Sequence, residues 1–112
     1  MASEHHTVRG RALSDAERLD WLRLIRSENV GPVTFTALLS RYESATAALN
    51  ALPELARKGG RKRPIKICPK NRAEAEVAAT EAAGAFLVAK CEPRFPAPLA
   101  ALDDAPPILC MK

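Results

Sequence analysis

The sequence predicts a mainly α-helical domain followed by the first strands of an α/β domain. Apolar residues recur at spacings of three and four between residues 14 and 58, which is the period of amphipathic helices. After Gly84 this period ends, and short apolar runs stand on either side of five prolines that exclude a long helix. We therefore expect a small helical bundle and then an incomplete sheet.

Composition favours a small binding protein. The chain has 112 residues, and its apolar residues are mainly alanine and leucine with five aromatic residues, so one modest core is feasible and a large enzyme cleft is not expected. Lys and Arg number 17 against 13 Asp and Glu, and the resulting net charge of +4 favours anionic partners such as nucleic acid.

Cysteine spacing and hydropathy indicate a cytoplasmic protein. Cys68, Cys91 and Cys110 show no CxxC spacing and form an odd set, so neither a zinc site nor a complete disulfide framework is predicted. No apolar run approaches the roughly 18 residues of a membrane helix, and the polar start of the chain lacks the apolar segment of a signal peptide. We expect no membrane partner, no cofactor and no metal.

The first element is a helix that follows a polar arm. Residues 1–12 have no apolar period and are predicted to form a flexible arm, in which the adjacent histidines are not expected to bind metal. Ser14 and Glu17 have the spacing of a capping box, so a helix should begin there and run to about Ser27. Trp21 falls on its apolar face and is predicted to belong to the core.

The segment from Asn29 to Val33 contains the strongest local functional motif. Gly31 permits a tight turn and Pro32 suits the first position of a new helix, so the outline is that of a helix-hairpin-helix motif, whose turn amides hold a DNA phosphate. Asn29 stands where the usual hairpin has its first glycine. The alternative is a turn that only joins two core helices, and the sequence leaves both interpretations open.

A further helical stretch is predicted from Ser44 to Lys58. Ser44 can cap a helix and Pro53 can begin a last short one, so one or two short helices are expected. The glycine pair after Lys58 should end this stretch. With the first two helices and the final helix predicted after it, this stretch is enough to close a bundle of four or five helices.

The segment from Arg57 to Arg72 is strongly basic and contains no acidic residue. Its glycines and prolines make most of it a loop, so its cations can follow a phosphate backbone without a fixed register, and it lacks the aromatic residues that would stack on bases. The alternative is a solvated linker. The predicted nucleic-acid site combines the turn with these cations: Asn29, Gly31, Arg57, Lys58, Arg61, Lys62, Arg63 and Lys66.

A final helix is predicted from Lys70 to Ala83, with Gly84 as its C-terminal cap. Its glutamates have no paired histidine, serine or cysteine nucleophile, so no catalytic residue and no enzyme activity are predicted. We assign the helical domain to residues 13–83, and a junction with opening strands to residues 84–112.

The junction carries the most specific pattern in the chain. A strand-like run at residues 85–89 leads into a proline-spaced connector that is expected to be extended, and a second run begins at Ile108. The connector and this run hold nine residues in a characteristic order: Phe95, Pro96, Leu99, Leu102, Asp104, Pro106, Pro107, Leu109 and Lys112. This order resembles the junction of the DprA (Smf) family of DNA-processing proteins, in which a small helical domain precedes a Rossmann-like domain.

The resemblance implies a fold, a role and partners. The helical part would be SAM-like or of helix-hairpin-helix type, and residues 84–112 would open a Rossmann-like domain that the chain truncates. The complete protein would bind incoming single-stranded DNA during natural transformation (competence) and recombination, mainly through the domain beyond Lys112. It would also help to load the RecA recombinase. In the isolated chain the two short strands are expected to pack back on the helices, to self-associate or to remain loose, and their apolar residues would favour a homodimer as an artefact of chain length.

Two other functions fit the same residues. One is a protein-protein interaction module without direct DNA binding, and the other is a DNA-repair accessory domain that uses a helix-hairpin-helix. Salt dependence distinguishes DNA binding from protein binding, because phosphate contacts weaken steeply as salt rises whereas an apolar protein interface changes little.

Overall fold

A computed structural model describes residues 12–60 and 62–112 of the chain. Its helices and strands, in chain order, are α1 Asp15–Arg26, α2 Pro32–Tyr42, α3 Ala45–Lys58, α4 Lys70–Ala82, β1 Phe86–Ala89, α5 Ala97–Ala100 and β2 Ile108–Met111. The described chain is mainly helical and ends in a small antiparallel sheet. This confirms the predicted fold class of a helical bundle followed by the start of an α/β domain.

Part of the predicted organisation lies outside the described residues. The arm predicted for residues 1–12 is described only at Ala12, and Arg61 of the basic segment is not described. None of the helices in the described ranges is both long enough and apolar enough to cross a membrane.

Helix α1 begins where the capping box predicts. Ser14 Oγ accepts a hydrogen bond from the Glu17 amide at 3.1 Å, and Glu17 Oε1 accepts one from the Ser14 amide at 2.8 Å. Leu22 is fully buried on the apolar face of the helix. Trp21 packs against Phe35 of α2 with the ring centroids 4.9 Å apart, so it contributes to the core as predicted.

Helix α3 corrects the prediction for Pro53. The Ser44 side chain caps the helix as expected, but one continuous helix runs from Ala45 to Lys58, and Pro53 lies inside it. A proline in a helix removes one amide hydrogen bond to the preceding turn. Leu49 and Leu52 are both buried before this point and Leu55 packs on the same cluster after it. We infer that this apolar contact keeps the helix continuous across the proline.

Two apolar clusters form the core. The first lies among α1, α2 and α3 and is built around Phe35 and Leu49. The second joins α1 and α4 to the sheet and includes Leu22, Ala73 and Ile108. The C-terminal strands therefore share a core with the helical domain rather than standing apart from it.

The two strands pair antiparallel, with Phe86 opposite Met111 and Ala89 opposite Ile108. A two-stranded sheet is marginal on its own in water, and here it packs on α1 and α4. The expectation of an extended connector is wrong, because residues 90–107 form turns and the short helix α5. Phe95 is 1% exposed, because the turn before it and the helix α5 after it leave its ring buried in the protein.

Candidate nucleic-acid interface

The turn between α1 and α2 is anchored on one side and open on the other. Asn29 has a φ of 64°, in the left-handed region that asparagine enters more readily than most residues other than glycine. This explains how Asn29 serves where the usual hairpin has glycine. Val30 is buried in the first apolar cluster, while Asn29 and Gly31 are exposed.

Gly31 caps the N-terminus of α2 and leaves that helix end open. Its φ of −98° is ordinary extended backbone, and a Cβ at this position would meet no atom within 4 Å, so the fold itself does not require glycine here. Pro32 has no amide hydrogen, and the Phe35 amide donates to the Gly31 carbonyl at 2.8 Å. The N-cap contributes no side-chain hydrogen bond, and the amides of the exposed Val33 and Thr34 lie in the first helical turn, where no acceptor of the helix itself is available to them.

The basic segment runs along the helical domain with one apolar side and one cationic side. Ile65 and Ile67 pack against the first apolar cluster, whereas Lys66 between them is exposed. This alternation is that of an extended chain with one buried face. Residues 62–69 contain no helix or strand, which confirms the predicted loop.

Glu28 fastens the basic segment to the hairpin turn. Its amide donates to the Lys66 carbonyl at 2.8 Å, and its Oε1 accepts from the Lys66 amide at 3.0 Å. Its Oε2 lies 3.5 Å from Nη2 of Arg63. Glu28 could not be identified from the sequence, because no local pattern joins it to residues that lie far along the chain.

Two further hydrogen bonds hold the end of the basic segment against α1. The Cys68 amide donates to Oγ of the buried Ser27 at 3.1 Å, and Arg23 Nε donates to the Cys68 carbonyl at 3.1 Å. Cys68 is itself buried. The path of the segment past the turn is therefore fixed by hydrogen bonds to the backbone of the segment. These contacts leave its cationic side chains exposed.

The structure brings part of the predicted site together. The members beside the turn are Asn29, Gly31, Arg63 and Lys66, and Lys62 is exposed next to Arg63. Arg57 and Lys58 instead lie in the last turn of α3, where Arg57 pairs with Glu54, and no described contact joins them to the hairpin turn. Arg61 falls outside the described residues.

The surface around the turn suits an anion. Every described Lys and Arg between residues 57 and 72 is exposed. The N-terminus of α2 adds the positive end of a helix dipole, with two available amides. The carboxylate of Glu28 accepts a hydrogen bond from the backbone amide of Lys66 and lies near the guanidinium of Arg63, so its negative charge is partly offset.

A second glutamate that the sequence analysis missed holds the junction to the helical domain. Glu92 binds Arg18 through two hydrogen bonds, of 3.0 Å to Nε and 2.6 Å to Nη2. Its carboxylate also accepts from the amides of Leu13 at 2.9 Å and Ala89 at 2.8 Å. Glu92 therefore joins the start of the helical domain, α1 and the end of β1.

The contacts of Glu92 keep it ionised. Its burial alone would raise the pKa, but the hydrogen bonds from Arg18 and from the amides of Ala89 and Leu13 outweigh burial and hold the pKa of Glu92 below its ordinary value. The same hydrogen-bonded pair raises the pKa of Arg18. This ion pair stabilises the fold, and we assign it no part in phosphate binding.

Comparison with known proteins identifies the family. A family model described as the DprA-like N-terminal HHH domain matches residues 15–79, which extend from the start of α1 into α4 and make up more than half of the chain. No curated protein matched the chain. The matched region contains both the hairpin turn and the basic segment. The chain therefore belongs to the DprA/Smf family and carries the N-terminal domain of a DprA-type DNA-processing protein.

Proposed function

We propose that the helical domain binds the phosphate backbone of single-stranded DNA at the α1–α2 turn and the adjoining basic segment. The observation that carries this proposal is the set of contacts made by Glu28, which hold Lys66 and Arg63 beside the turn. Amides at a helix N-terminus and nearby cations are two kinds of group that hold phosphate in proteins. Gly31 adds room for a backbone to approach the helix end.

The binding we propose is independent of base sequence. The basic segment has no aromatic residue on which bases could stack, and its cations beside the turn, Lys62, Arg63 and Lys66, lie in a loop rather than along a helix that could enter a groove. Such binding should depend strongly on salt, because each phosphate contact releases counterions. The domain would act as an accessory site in a protein whose main DNA groove lies elsewhere, as the family resemblance implies.

The test is DNA binding by a variant that lacks the cations beside the turn. Fluorescence anisotropy with labelled oligothymidine should show that K62A/R63A/K66A binds about tenfold more weakly at low salt. The slope of log affinity against log salt should fall by about 2, since each single-strand contact contributes about 0.7.

The matched control removes the same charge elsewhere. The variant R41A/R94A/K112A loses three exposed cations outside the basic segment and should keep most of the salt slope. Equal losses in the two triple variants would show that only net charge matters and would contradict a site at the turn. Unchanged binding in K62A/R63A/K66A would contradict DNA binding at this surface altogether and would favour the protein-interaction module.

We also propose that the complete protein helps to load RecA on single-stranded DNA and that it acts in the cytoplasm. The support is the membership of a DNA-processing family together with the resemblance of the junction. The test is the lag before RecA filaments form on single-stranded DNA, measured with and without the chain. A lag that the chain leaves unchanged at saturating concentration would exclude a loading role for this domain, and a lag that the complete protein also leaves unchanged would refute the proposal.

We propose a binding role rather than catalysis. The support is chemical: exposed lysines and arginines can hold a phosphate without activating a nucleophile. Single-stranded and duplex DNA incubated with the pure chain and Mg²⁺ should remain intact. Cleavage that copurifies with the chain and disappears in K62A/R63A/K66A would overturn the proposal.

We propose further that the chain forms a homodimer through β2. The Lys90 amide donates to the Pro107 carbonyl at 2.8 Å, so the alternation of the ladder directs the backbone groups of Ile108 and Cys110 away from β1. Strand β2 contains no charged residue or proline, the usual protection of an open edge. Analytical ultracentrifugation should show a concentration-dependent dimer that Cys110→Lys abolishes and Leu102→Lys retains, and a monomer at every concentration would refute it.

A further inference from the structure

We infer a second binding site, for a segment of a partner protein, in a cleft between the helical domain and the junction. The cleft has a volume of about 710 Å³. Its walls are formed by α1, α2, the start of α3 and the junction residues Lys90, Cys91, Ala100 and Pro107. None of the described residues of the basic segment lines it, so the site is separate from the one proposed for DNA.

The cleft has an apolar wall of a size that suits a few side chains. Trp21, Phe35 and Leu39 line it on the helical side, and Ala100 and Pro107 line it on the junction side. A volume of several hundred Å³ with mostly apolar walls is typical of sites that enclose a small ligand or the anchor residues of a peptide. Apolar side chains of a partner can therefore bury surface here.

The charges around the cleft are mainly negative, although the chain as a whole is positive. Glu17, Asp20 and Glu43 line the cleft, and Lys90 is the cation that the described lining contributes. The ammonium group of Lys90 donates to the carbonyl of Leu102 at 3.1 Å. The charge in the cleft thus opposes binding of a phosphate and favours binding of a cation.

The three carboxylates of the cleft differ in the hydrogen bonds and ion pairs that they form with neighbouring residues. Asp20 lies 3.5 Å from Arg23 and also accepts a hydrogen bond from the Thr46 hydroxyl, and Glu17 caps α1. Glu43 is exposed at the C-terminal end of α2, with a φ of 68°. Glycine is favoured in this left-handed position. A glutamate there places a carboxylate at the rim of the cleft.

The apolar walls and the carboxylates at the rim together indicate which kind of side chain binds in the cleft. Lysine and arginine side chains have an apolar stem that packs on apolar surface and a cationic head that reaches carboxylates, and aromatic faces attract the head as well. The occupant is therefore a protein segment that presents an arginine or lysine next to an apolar residue. Nucleic acid is the wrong partner for this cleft, because its phosphates would approach the same carboxylates.

The experiment is a peptide titration of the complete chain. The probe is the acetylated and amidated peptide Leu-Arg-Leu-Arg, and the matched probe is Leu-Gln-Leu-Gln with the same blocking groups. Trp21 is the single tryptophan of the chain and lines the cleft, so its fluorescence reports occupancy directly. Amide shifts in a ¹H–¹⁵N spectrum locate the bound peptide independently of fluorescence.

The cationic peptide should bind about tenfold more tightly than the neutral one and should shift the amides of Leu39, Ser40 and Glu43. Glu43→Gln and Asp20→Asn should each weaken binding about three- to fivefold. Glu81→Gln, which removes an exposed carboxylate from α4, should leave it unchanged. Ser40→Lys keeps every carboxylate but places a lysine of the chain itself at the cleft. This lysine should compete with the peptide for the carboxylates and weaken peptide binding.

Two results would overturn the proposal. One is equal affinity for the cationic and neutral peptides, which would show that the carboxylates select nothing. The other is the absence of shifts at the cleft at millimolar peptide, with the chain folded by circular dichroism. Loss of DNA binding in K62A/R63A/K66A with peptide binding retained would confirm that the two sites are independent.

Discussion

Glu28 and Glu92 each tie a non-helical segment to the helical domain, but in different surroundings. Glu28 is partly exposed, exchanges two hydrogen bonds with the backbone of Lys66 and lies 3.5 Å from Arg63. Glu92 is only 5% exposed and binds both Arg18 and two backbone amides. The first contact holds a cationic segment at the surface, and the second holds the junction in the core.

The difference shows what each contact can contribute. Exposed ion pairs are worth little in folding free energy because water screens them, whereas removing one partner of a buried pair leaves an uncompensated charge. The contact at Glu28 therefore positions side chains for a partner, and the contact at Glu92 stabilises the fold. Four predictions test this division of roles, from the largest expected effect to the smallest.

Removing the charge of Glu92 should destabilise the chain most. Glu92→Gln keeps the size of the side chain but removes the buried carboxylate and leaves the Arg18 guanidinium paired with the exposed Asp15, so the free energy of unfolding should fall by about 2 kcal/mol. Urea denaturation followed by circular dichroism measures this loss. Glu81→Gln on the exposed face of α4 is the control and should change stability by less than about 0.5 kcal/mol. A loss in Glu92→Gln no larger than in this control would break the comparison.

The dependence of stability on pH should come partly from Glu92. Its pKa is lower in the folded chain than the ordinary value of 4.5, so the unfolded chain takes up this proton at a higher pH. The stabilisation is thus present above about pH 4.5 and is lost as pH falls through the folded pKa. Unfolding free energies measured between pH 6 and pH 3 should fall less steeply for Glu92→Gln than for the unchanged chain. Parallel curves would show that Glu92 is not the group that titrates.

Removing the charge of Glu28 should affect binding more than folding. In Glu28→Gln the amide oxygen can still accept from Lys66, so the unfolding free energy should change by less than about 1 kcal/mol. DNA affinity at low salt should rise about two- to threefold, because a negative charge beside the proposed phosphate site is gone. Anisotropy titrations measure the gain. Weaker binding would mean that the ion pair with Arg63 positions this cation for DNA, and that the loss of this contact outweighs the removal of a negative charge.

The smallest effect is expected for glycine in place of Asn29. Asn29→Gly suits the φ of 64° but adds freedom to the unfolded chain, so stability should change by less than about 0.5 kcal/mol. Asn29→Ala should cost about 1 kcal/mol, because alanine is strained in the left-handed region. Thermal unfolding measures both. If the alanine variant were as stable as the glycine variant, the backbone at the turn would not be constrained in the way described.

The sequence predicted elements that depend on neighbouring residues. The capping box of Ser14 and Glu17 marks the start of α1 because its two hydrogen bonds span three residues. The alternation of glycine, proline and cations after Lys58 likewise predicted a loop. The position of the hairpin turn followed from Gly31 and Pro32, and the structure adds that Asn29 adopts the left-handed conformation.

The sequence did not predict the contacts that join distant residues. Lys66 lies 38 residues from Glu28, and Arg18 lies 74 residues from Glu92, so no spacing rule connects either pair. Pro53 was misassigned because a proline favours a helix start locally, whereas packing of the surrounding leucines decided the outcome. The cleft is also invisible in the sequence, since its lining comes from four separate parts of the chain.

The position of Glu92 limits which part of the chain can be transferred to another protein by gene fusion. The helical bundle ends at α4, but a gene fusion that transferred only the bundle would remove the acceptor of the Leu13 amide and the buried carboxylate that pairs with Arg18. The smallest transferable unit therefore includes the turn that carries Glu92, and the pairing of β1 with β2 extends it to Met111. Among descendants of this chain, a loss of charge at position 92 should be accompanied by a loss of charge at position 18, and position 92 should keep a side chain that accepts from the Leu13 and Ala89 amides.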